Sequence, residues 1–189
     1  MTPNPAEARA TYEDLRRLPE DVHAEIDGGV IVTPSANPRH NRLAYLLERD
    51  LDTGCGGAGF AALHDVDVPW ADGSVTRPDV LVVTQAAAGA TELPLREVPV
   101  VVVEVLSPSS ALREFVAKPR LAAAGGVPEY WVVDPEGHEV ARHALVDGAY
   151  HSEIVTPGEE VVVDTLPFAY ELRPDVLGVP LVTRSDEDR

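Results

Sequence analysis

The chain of 189 residues is 44% hydrophobic and 25% charged, which is typical of globular proteins, and its one cysteine, Cys55, excludes an internal disulfide and a cysteine zinc cluster. Its 32 acidic and 15 basic residues give a net charge of −17, which repels polyanions, so a nucleic-acid function would need a local basic site or a bound metal ion. No apolar run approaches the roughly 20 residues of a membrane helix, and the N-terminus lacks the pattern of a secretory signal, so we expect a cytoplasmic protein.

The first half of the chain predicts two helices and several short strands. A short helix is expected over residues 11–18, and a hairpin follows in HAEIDGGVIVTP, with its turn at Asp27-Gly28-Gly29. The clearest helix covers residues 35–54, with leucines at helical spacing and Gly54 placed to end it. FAALHDVDVPW and RPDVLVV are strand candidates.

The second half of the chain also predicts strands interleaved with a helix. The run of residues 98–106, VPVVVVEVL, is apolar on both faces, which indicates a central strand covered on both sides. A helix is expected over residues 110–124, with Leu112, Phe115 and Val116 on its buried face. EYWVVD, EVARHAL and EEVVVD predict three further strands. The interleaving favours one layered α/β domain over residues 1–189, with a core at about 12–172 and flexible termini.

Glu104 is the exception in its apolar strand. A buried carboxylate without partners costs several kcal/mol or becomes protonated. Asp79 starts the preceding apolar strand, and antiparallel pairing would bring it beside Glu104. Two adjacent carboxylates repel each other unless a cation lies between them, and their oxygens are the ligands that magnesium or manganese prefers.

Lys118 is the only lysine among the 15 basic residues. Unlike arginine, lysine can shift its pKa and exchange a proton. The turn after Glu104 leads into a helix that would carry Lys118 back toward the carboxylates. Pro119 complicates this helix, which is expected to kink or restart there.

Together these motifs resemble a known family. RPDVLVV, VVVVEVLSPSS, the lysine in REFVAKPRLAAAGGVPEYWVVDP and the upstream EIDGGVIVTPSANPRH are similar to the Uma-two family of the PD-(D/E)xK nuclease superfamily. The resemblance runs from about Tyr12 to Tyr150 and implies a restriction-endonuclease-like α/β fold, with a central mixed sheet flanked by helices. It also implies a metal-dependent endonuclease acting on nucleic acid, with DNA expected, and a homodimer.

The resemblance assigns site residues position by position. Asp79 matches the first carboxylate and Glu104 the second, and these two with the Val105 carbonyl would hold magnesium or manganese. Leu106 stands where the wider superfamily has its lysine, and Lys118 matches the relocated catalytic lysine. The supporting residues that the family implies are Glu25, an acidic residue near the metal, and His40.

Each residue also has a structural explanation. Asp79 alone is more typical of a strand-edge turn, Glu104 could pair with an arginine, and Lys118 could lie on a helix surface. Glu25 could belong to a hairpin edge, and His40 could be a helix cap. His64, Asp65 and Asp67 look like metal ligands, but strand alternation splits them between faces, so a structural role is expected. The alternative function is a nuclease-fold binding or interaction module without turnover.

Overall fold

The computed structural model describes six stretches of the chain: residues 9–19, 22–32, 37–91, 93–107, 113–136 and 139–177. The helices are α1 (Tyr12–Leu15), α2 (Pro38–Cys55), α3 (Gln85–Ala88) and α4 (Lys118–Gly125), with a π-helical turn at Arg113–Ala117 and 3-10 turns at Gly56–Ala58 and Pro174–Leu177. The strands are β1 (Ala24–Asp27), β2 (Gly29–Val32), β3 (Phe60–Leu63), β4 (Val68–Pro69), β5 (Val75–Thr76), β6 (Val80–Thr84), β7 (Val101–Val105), β8 (Glu129–Asp134), β9 (Glu139–Val146), β10 (Ala149–Val155), β11 (Val161–Val162) and β12 (Glu171–Leu172). Among these residues, no helix is long and apolar enough to cross a membrane.

A six-stranded mixed sheet lies at the centre of the fold, with the strand order β10-β9-β8-β7-β6-β3. β7 and β8 run parallel, and the other neighbouring strands are antiparallel. A parallel pair needs a crossover connection, which contains α4. The predicted central mixed sheet flanked by helices is therefore observed.

Both faces of the central sheet are covered. All residues of β7 are buried, as the run that is apolar on both faces predicted. On one face, α2 contributes Leu43, Leu47 and Leu51 to the core cluster. On the other face, Ala122 of α4 and Trp70 belong to a second cluster. The site described below lies where these layers meet the ends of β6 and β7.

The start of α2 agrees with local sequence signals, but Gly54 does not end the helix as predicted. Asn37 is the N-cap and accepts a hydrogen bond from the His40 N–H, and Pro38 occupies the first turn. The helix continues through Gly54 to Cys55. A Cβ atom at Gly54 would lie 2.9 Å from the ring of Tyr170, so this glycine permits close packing instead of ending the helix.

A smaller sheet with the order β2-β1-β5-β4 carries the predicted hairpin. β1 and β2 pair in antiparallel fashion around a turn in which Gly28 has a φ of 72°, a left-handed conformation that glycine adopts without steric cost. This hairpin presents Glu25 from the centre of β1, at a position where the side chain is buried.

The helical segment before Lys118 differs from the prediction. The chain forms a π-helical turn over Arg113–Ala117, and α4 begins at Lys118, so Pro119 falls in the first turn, where its missing N–H costs little. Phe115 and Val116 are each 41% exposed, so the expectation that they form a buried face is wrong. Leu112 lies outside the described residues, as does the tail after residue 177.

A buried ion pair between Glu129 and Arg142 lies at the start of β8. The Glu129 carboxylate is fully buried and accepts hydrogen bonds from Arg142 Nε at 3.0 Å and Nη2 at 2.7 Å. It also accepts from Trp131 Nε1 at 2.7 Å and from the Thr165 hydroxyl. Because several donors satisfy its oxygens, this carboxylate is compensated in a place where an unpaired charge would be costly.

Glu129→Gln should lower the free energy of unfolding by about 3 kcal/mol, because it leaves the buried Arg142 guanidinium poorly compensated. Urea unfolding followed by tryptophan fluorescence measures this change. Glu153 is the matched control, since its half-exposed carboxylate pairs with the same arginine. Glu153→Gln should cost less than about 1 kcal/mol. Equal losses in the two variants would contradict the special role of Glu129.

Candidate active site at the ends of two central strands

The Lys118 ammonium lies between two buried carboxylates. Its Nζ is 2.8 Å from Glu104 Oε1 and 3.0 Å from Glu25 Oε1. All three side chains are at least nine-tenths buried. They come from β7, β1 and the first residue of α4, so one ion-pair cluster joins three distant parts of the sequence.

Asp79 lies beside this cluster because of the strand pairing. Val80 of β6 is opposite Val103 of β7 in an antiparallel pair, which places the preceding Asp79 next to Glu104. Asp79 Oδ2 accepts a hydrogen bond of 2.7 Å from the N–H of Val105. Of the two strand directions that the sequence permits, the structure has the antiparallel one, which makes these two residues neighbours. The strand backbone itself orients the Asp79 carboxylate.

The imidazole of His40 contacts both Asp79 and the strand end. His40 Nε2 is 3.0 Å from the Val105 carbonyl oxygen and 3.2 Å from Asp79 Oδ2. Because a carbonyl oxygen can only accept, Nε2 carries the proton. Its ring therefore lies in the site, and the helix cap is formed by Asn37.

Burial and neighbouring charges shift the pKa values of the central pair. Burial raises the pKa of Glu104 well above its usual value, Asp79 and Glu25 raise it further, and the Lys118 ammonium opposes them. Burial by itself would lower the pKa of Lys118, but the charges and hydrogen bonds of Glu104 and Glu25 raise it overall. Three carboxylates thus lie at the site with one ammonium, which contacts two of them, and neighbouring carboxylates of this kind favour bound protons or cations.

Arg77 is a contributor that the sequence did not reveal. Its backbone N–H donates to Glu25 Oε1 at 3.0 Å, and its Nε donates to Asp67 Oδ1 at 2.9 Å. Arg77 also approaches Asp65 at 3.4 Å. It lies two residues before Asp79, and only the pairing of β5 with β1 brings it to Glu25. His64 pairs with Glu48 at 2.8 Å, so the described contacts of His64, Asp65 and Asp67 are with protein side chains.

The oxygens at this site are few but chemically suited to a hard cation. Within the described residues, no three His, Cys, Asp or Glu side chains form a group that could hold a metal ion. Asp79 and Glu104 supply two carboxylates, and the Val105 carbonyl lies at the same strand end. Magnesium commonly binds one or two carboxylates and keeps several waters, so this donor set fits it in type.

Comparison with known proteins places the chain in a family. The family model for Uma2, described as "putative restriction endonuclease", matches residues 10–177. The chain belongs to the Uma2 family. Its fold also matches the crystal structure of a "putative nuclease belonging to DUF820" from Anabaena variabilis, with a TM-score of 0.72 and 18% identity over 89% of this chain and 97% of that one. No curated protein matches. The similarity to the Uma-two family and the restriction-endonuclease-like fold predicted from the motifs are thereby confirmed.

The residue two positions after Glu104 is Leu106, not the lysine that a PD-(D/E)xK pattern has there. Leu106 packs against the apolar cluster around Trp70 and Ala122, and its N–H donates to the Val133 carbonyl. The amine instead reaches Glu104 from the first residue of α4. The amine beside Glu104 therefore comes from Lys118, which lies 14 residues after that glutamate in the chain.

Lys118→Met should destabilise the protein by about 3 kcal/mol near neutral pH, because it leaves two buried carboxylates facing each other. The loss should be smaller at about pH 5 than at about pH 8. In the variant, burial still raises the pKa of Glu104 in the folded state, and the Lys118 ammonium no longer opposes this shift. The folded variant therefore binds more protons than the unfolded one, so its free energy of unfolding falls as pH rises. Urea unfolding at the two pH values measures the difference.

Arg120→Met provides the matched control for this variant, since Arg120 lies two residues away on the exposed side of α4. It removes the same charge without uncovering buried carboxylates, so its effect should be small at both pH values. A Lys118→Met protein as stable as the Arg120→Met protein at the higher pH would contradict the ion-pair account.

Proposed function

We propose that this Uma2 protein is a metal-dependent endonuclease that hydrolyses phosphodiester bonds of nucleic acid, with DNA as the substrate. The observation that carries the proposal is the convergence of Asp79, Glu104 and Lys118 at adjacent ends of β6, β7 and α4. Membership of a family described as restriction endonucleases supports the reaction class. Similarity of fold alone would not support a reaction class, since one fold serves many functions.

Asp79, Glu104 and the Val105 carbonyl are the proposed ligands for magnesium or manganese. When bound, such a cation would lower the pKa of a coordinated water and neutralise charge on the scissile phosphate. The protein's own contribution is orientation. The Val105 N–H fixes one Asp79 oxygen, and Lys118 fixes one Glu104 oxygen. Each carboxylate keeps its second oxygen for a further contact.

The proposed role of Lys118 is to orient the attacking water and stabilise the charge that develops on the phosphate. Its raised pKa keeps it protonated at neutral pH, which supports donation and argues against proton abstraction. Glu25 is proposed to position Lys118, because its carboxylate is the second one that contacts the ammonium and is itself fixed by the Arg77 N–H.

His40 is proposed to position the first carboxylate. Its Nε2–H donates toward Asp79 and the Val105 carbonyl, and its backbone is fixed at the start of α2 by Asn37. The ring would therefore set the spacing between the two proposed ligand groups without taking part in proton transfer.

Purified protein should cleave DNA when magnesium or manganese is added, and Asp79→Asn and Glu104→Gln should each abolish cleavage. Magnesium should also raise the melting temperature of the wild type but not of either variant, because a ligand bound only to the folded state stabilises it. Gel assays with duplex DNA, single-stranded DNA and RNA, together with thermal melts, measure the two effects.

Glu13→Gln is the control, since Glu13 is an exposed carboxylate whose described ion pair is with the neighbouring Arg16. It should retain both the cleavage and the thermal shift. The nuclease proposal fails if wild-type protein with either metal leaves every nucleic acid intact.

Lys118→Arg separates charge from geometry at the proposed catalytic lysine. Arginine keeps the positive charge but is larger, planar and fixed in its donor directions, so we expect metal-induced stabilisation to persist while cleavage falls. Single-turnover cleavage and the magnesium-dependent melt, compared on the same preparation, test this. Unchanged cleavage in Lys118→Arg would rule out a role that needs the compact ammonium.

A binding module without turnover is the second candidate. It is favoured by the arrangement of Lys118, which already neutralises part of the charge of Glu104 and Glu25. The net charge of −17 also opposes binding of a polyanion without a bound cation. Absence of any metal-induced melting shift in the wild type would favour this candidate. The cytoplasmic location and the single-domain organisation stay predictions.

A further inference from the structure

β10 forms one edge of the central sheet and is exposed along most of its length. It pairs with β9 over all seven residues, from Ala149 opposite Val146 to Val155 opposite Val140. Among the described residues, no strand pairs with its other side. Exposed strand edges are usually blunted by charged side chains, proline or bulges, whereas β10 carries one carboxylate, Glu153, has no proline or lysine, and pairs in continuous register.

The outward-facing backbone groups of β10 can be identified from its neighbours. The Leu145 N–H donates to the Pro128 carbonyl, so the backbone of Leu145 faces away from β10. Tyr150, which is opposite Leu145, therefore belongs to a pair that does not exchange hydrogen bonds. Because pairs alternate, the N–H and C=O groups of Tyr150, Ser152 and Ile154 all point out of the sheet edge.

We propose that a second copy of this chain pairs with this edge, antiparallel and centred on Ser152. A two-fold axis at Ser152 opposes each outward-facing residue with another: Ser152 with itself, and Tyr150 with Ile154 in both directions. Each opposed pair then exchanges both of its backbone hydrogen bonds. The same patch serves both copies, as a two-fold interface requires.

The side chains of β10 are complementary to themselves in this register. His151 of each copy faces Glu153 of the other, so an imidazole donor meets a carboxylate acceptor twice. Tyr150 packs across from Ile154, which is 55% exposed in the single chain. Hydrogen-bonded side-chain pairs and aromatic–β-branched pairs of this kind stabilise antiparallel strands. Shifting the register by one residue would place Tyr150 opposite Glu153 and lose the match.

The opposite edge of the sheet is a poorer candidate. β3 has four residues, and Phe60 and Ala62 are already covered by the core cluster that includes Phe168.

β10 is separated from β7 by two strands, so pairing at the β10 edge leaves Glu104 unobstructed in each copy. The inference does not depend on the proposed nuclease activity.

Ser152→Pro tests the interface selectively. The Ser152 N–H points out of the sheet, so proline removes a bond between copies while leaving the bonding to β9, and proline is tolerated on edge strands. Ser152→Ala keeps the N–H and loses the same contact to His143, so it is the matched control. Sedimentation velocity should show a dimer for the wild type and Ser152→Ala, and at least a tenfold weaker association for Ser152→Pro.

A second variant tests the interface even if the Ser152→Pro protein does not fold. His151→Glu, at an exposed position, brings like charges together across the axis and should also weaken the dimer at least tenfold. Ser152→Cys should give a covalent dimer on oxidation, since opposed strand residues lie within disulfide range, whereas Glu160→Cys outside β10 should not. Cys55 is fully buried in both proteins.

Two results would overturn the inference. One is a wild-type protein that sediments as a monomer at all accessible concentrations. The other is a dimer that persists unchanged in a folded Ser152→Pro or His151→Glu protein, which would place the contact on another surface. Circular dichroism of each variant establishes folding in the same samples, and loss of cleavage alone would bear only on the nuclease proposal.

Discussion

The contact of Lys118 with Glu104 and Glu25 is the interaction on which the rest of the site depends. Each of these groups alone would carry a severe penalty for burial, and together they compensate one another. Since the residues belong to α4, β7 and β1, the cluster also holds the hairpin sheet and the crossover helix against the central sheet. Any chemistry at this site must therefore work within an arrangement that also contributes to the fold.

Local patterns predicted the central sheet, and they singled out Asp79, Glu104 and Lys118, which the structure brings together. Glu104 stands out because its neighbours in β7 are all apolar. Asp79 becomes its neighbour only if the two strands are antiparallel, and the sequence permits either direction, so the structure had to decide this. The contacts of Glu25 with Lys118 and of His40 with Val105 join residues 93 and 65 positions apart in the chain, and these depend on how separate layers pack. No single-strand or helix pattern encodes such distances, so only the family resemblance suggested them.

The segment around Phe115 shows why the helix prediction failed in detail. Its apolar residues fit a regular α-helical spacing, but the segment forms a π-helical turn, in which that spacing no longer places Phe115 and Val116 on a buried face. The turn also lets α4 start at Lys118, so that Pro119 enters where a proline is harmless. The same local irregularity that exposes Phe115 and Val116 thus places the lysine at the strand end.

The position of His40 constrains how a cation would share this site. His40 Nε2–H donates toward Asp79 Oδ2 and the Val105 carbonyl, which are two of the proposed ligand groups. A carbonyl oxygen accepts two bonds and a carboxylate has two oxygens, so the imidazole and a cation need not exclude each other. The cation would then meet the Asp79 oxygen that neither Val105 N–H nor His40 contacts.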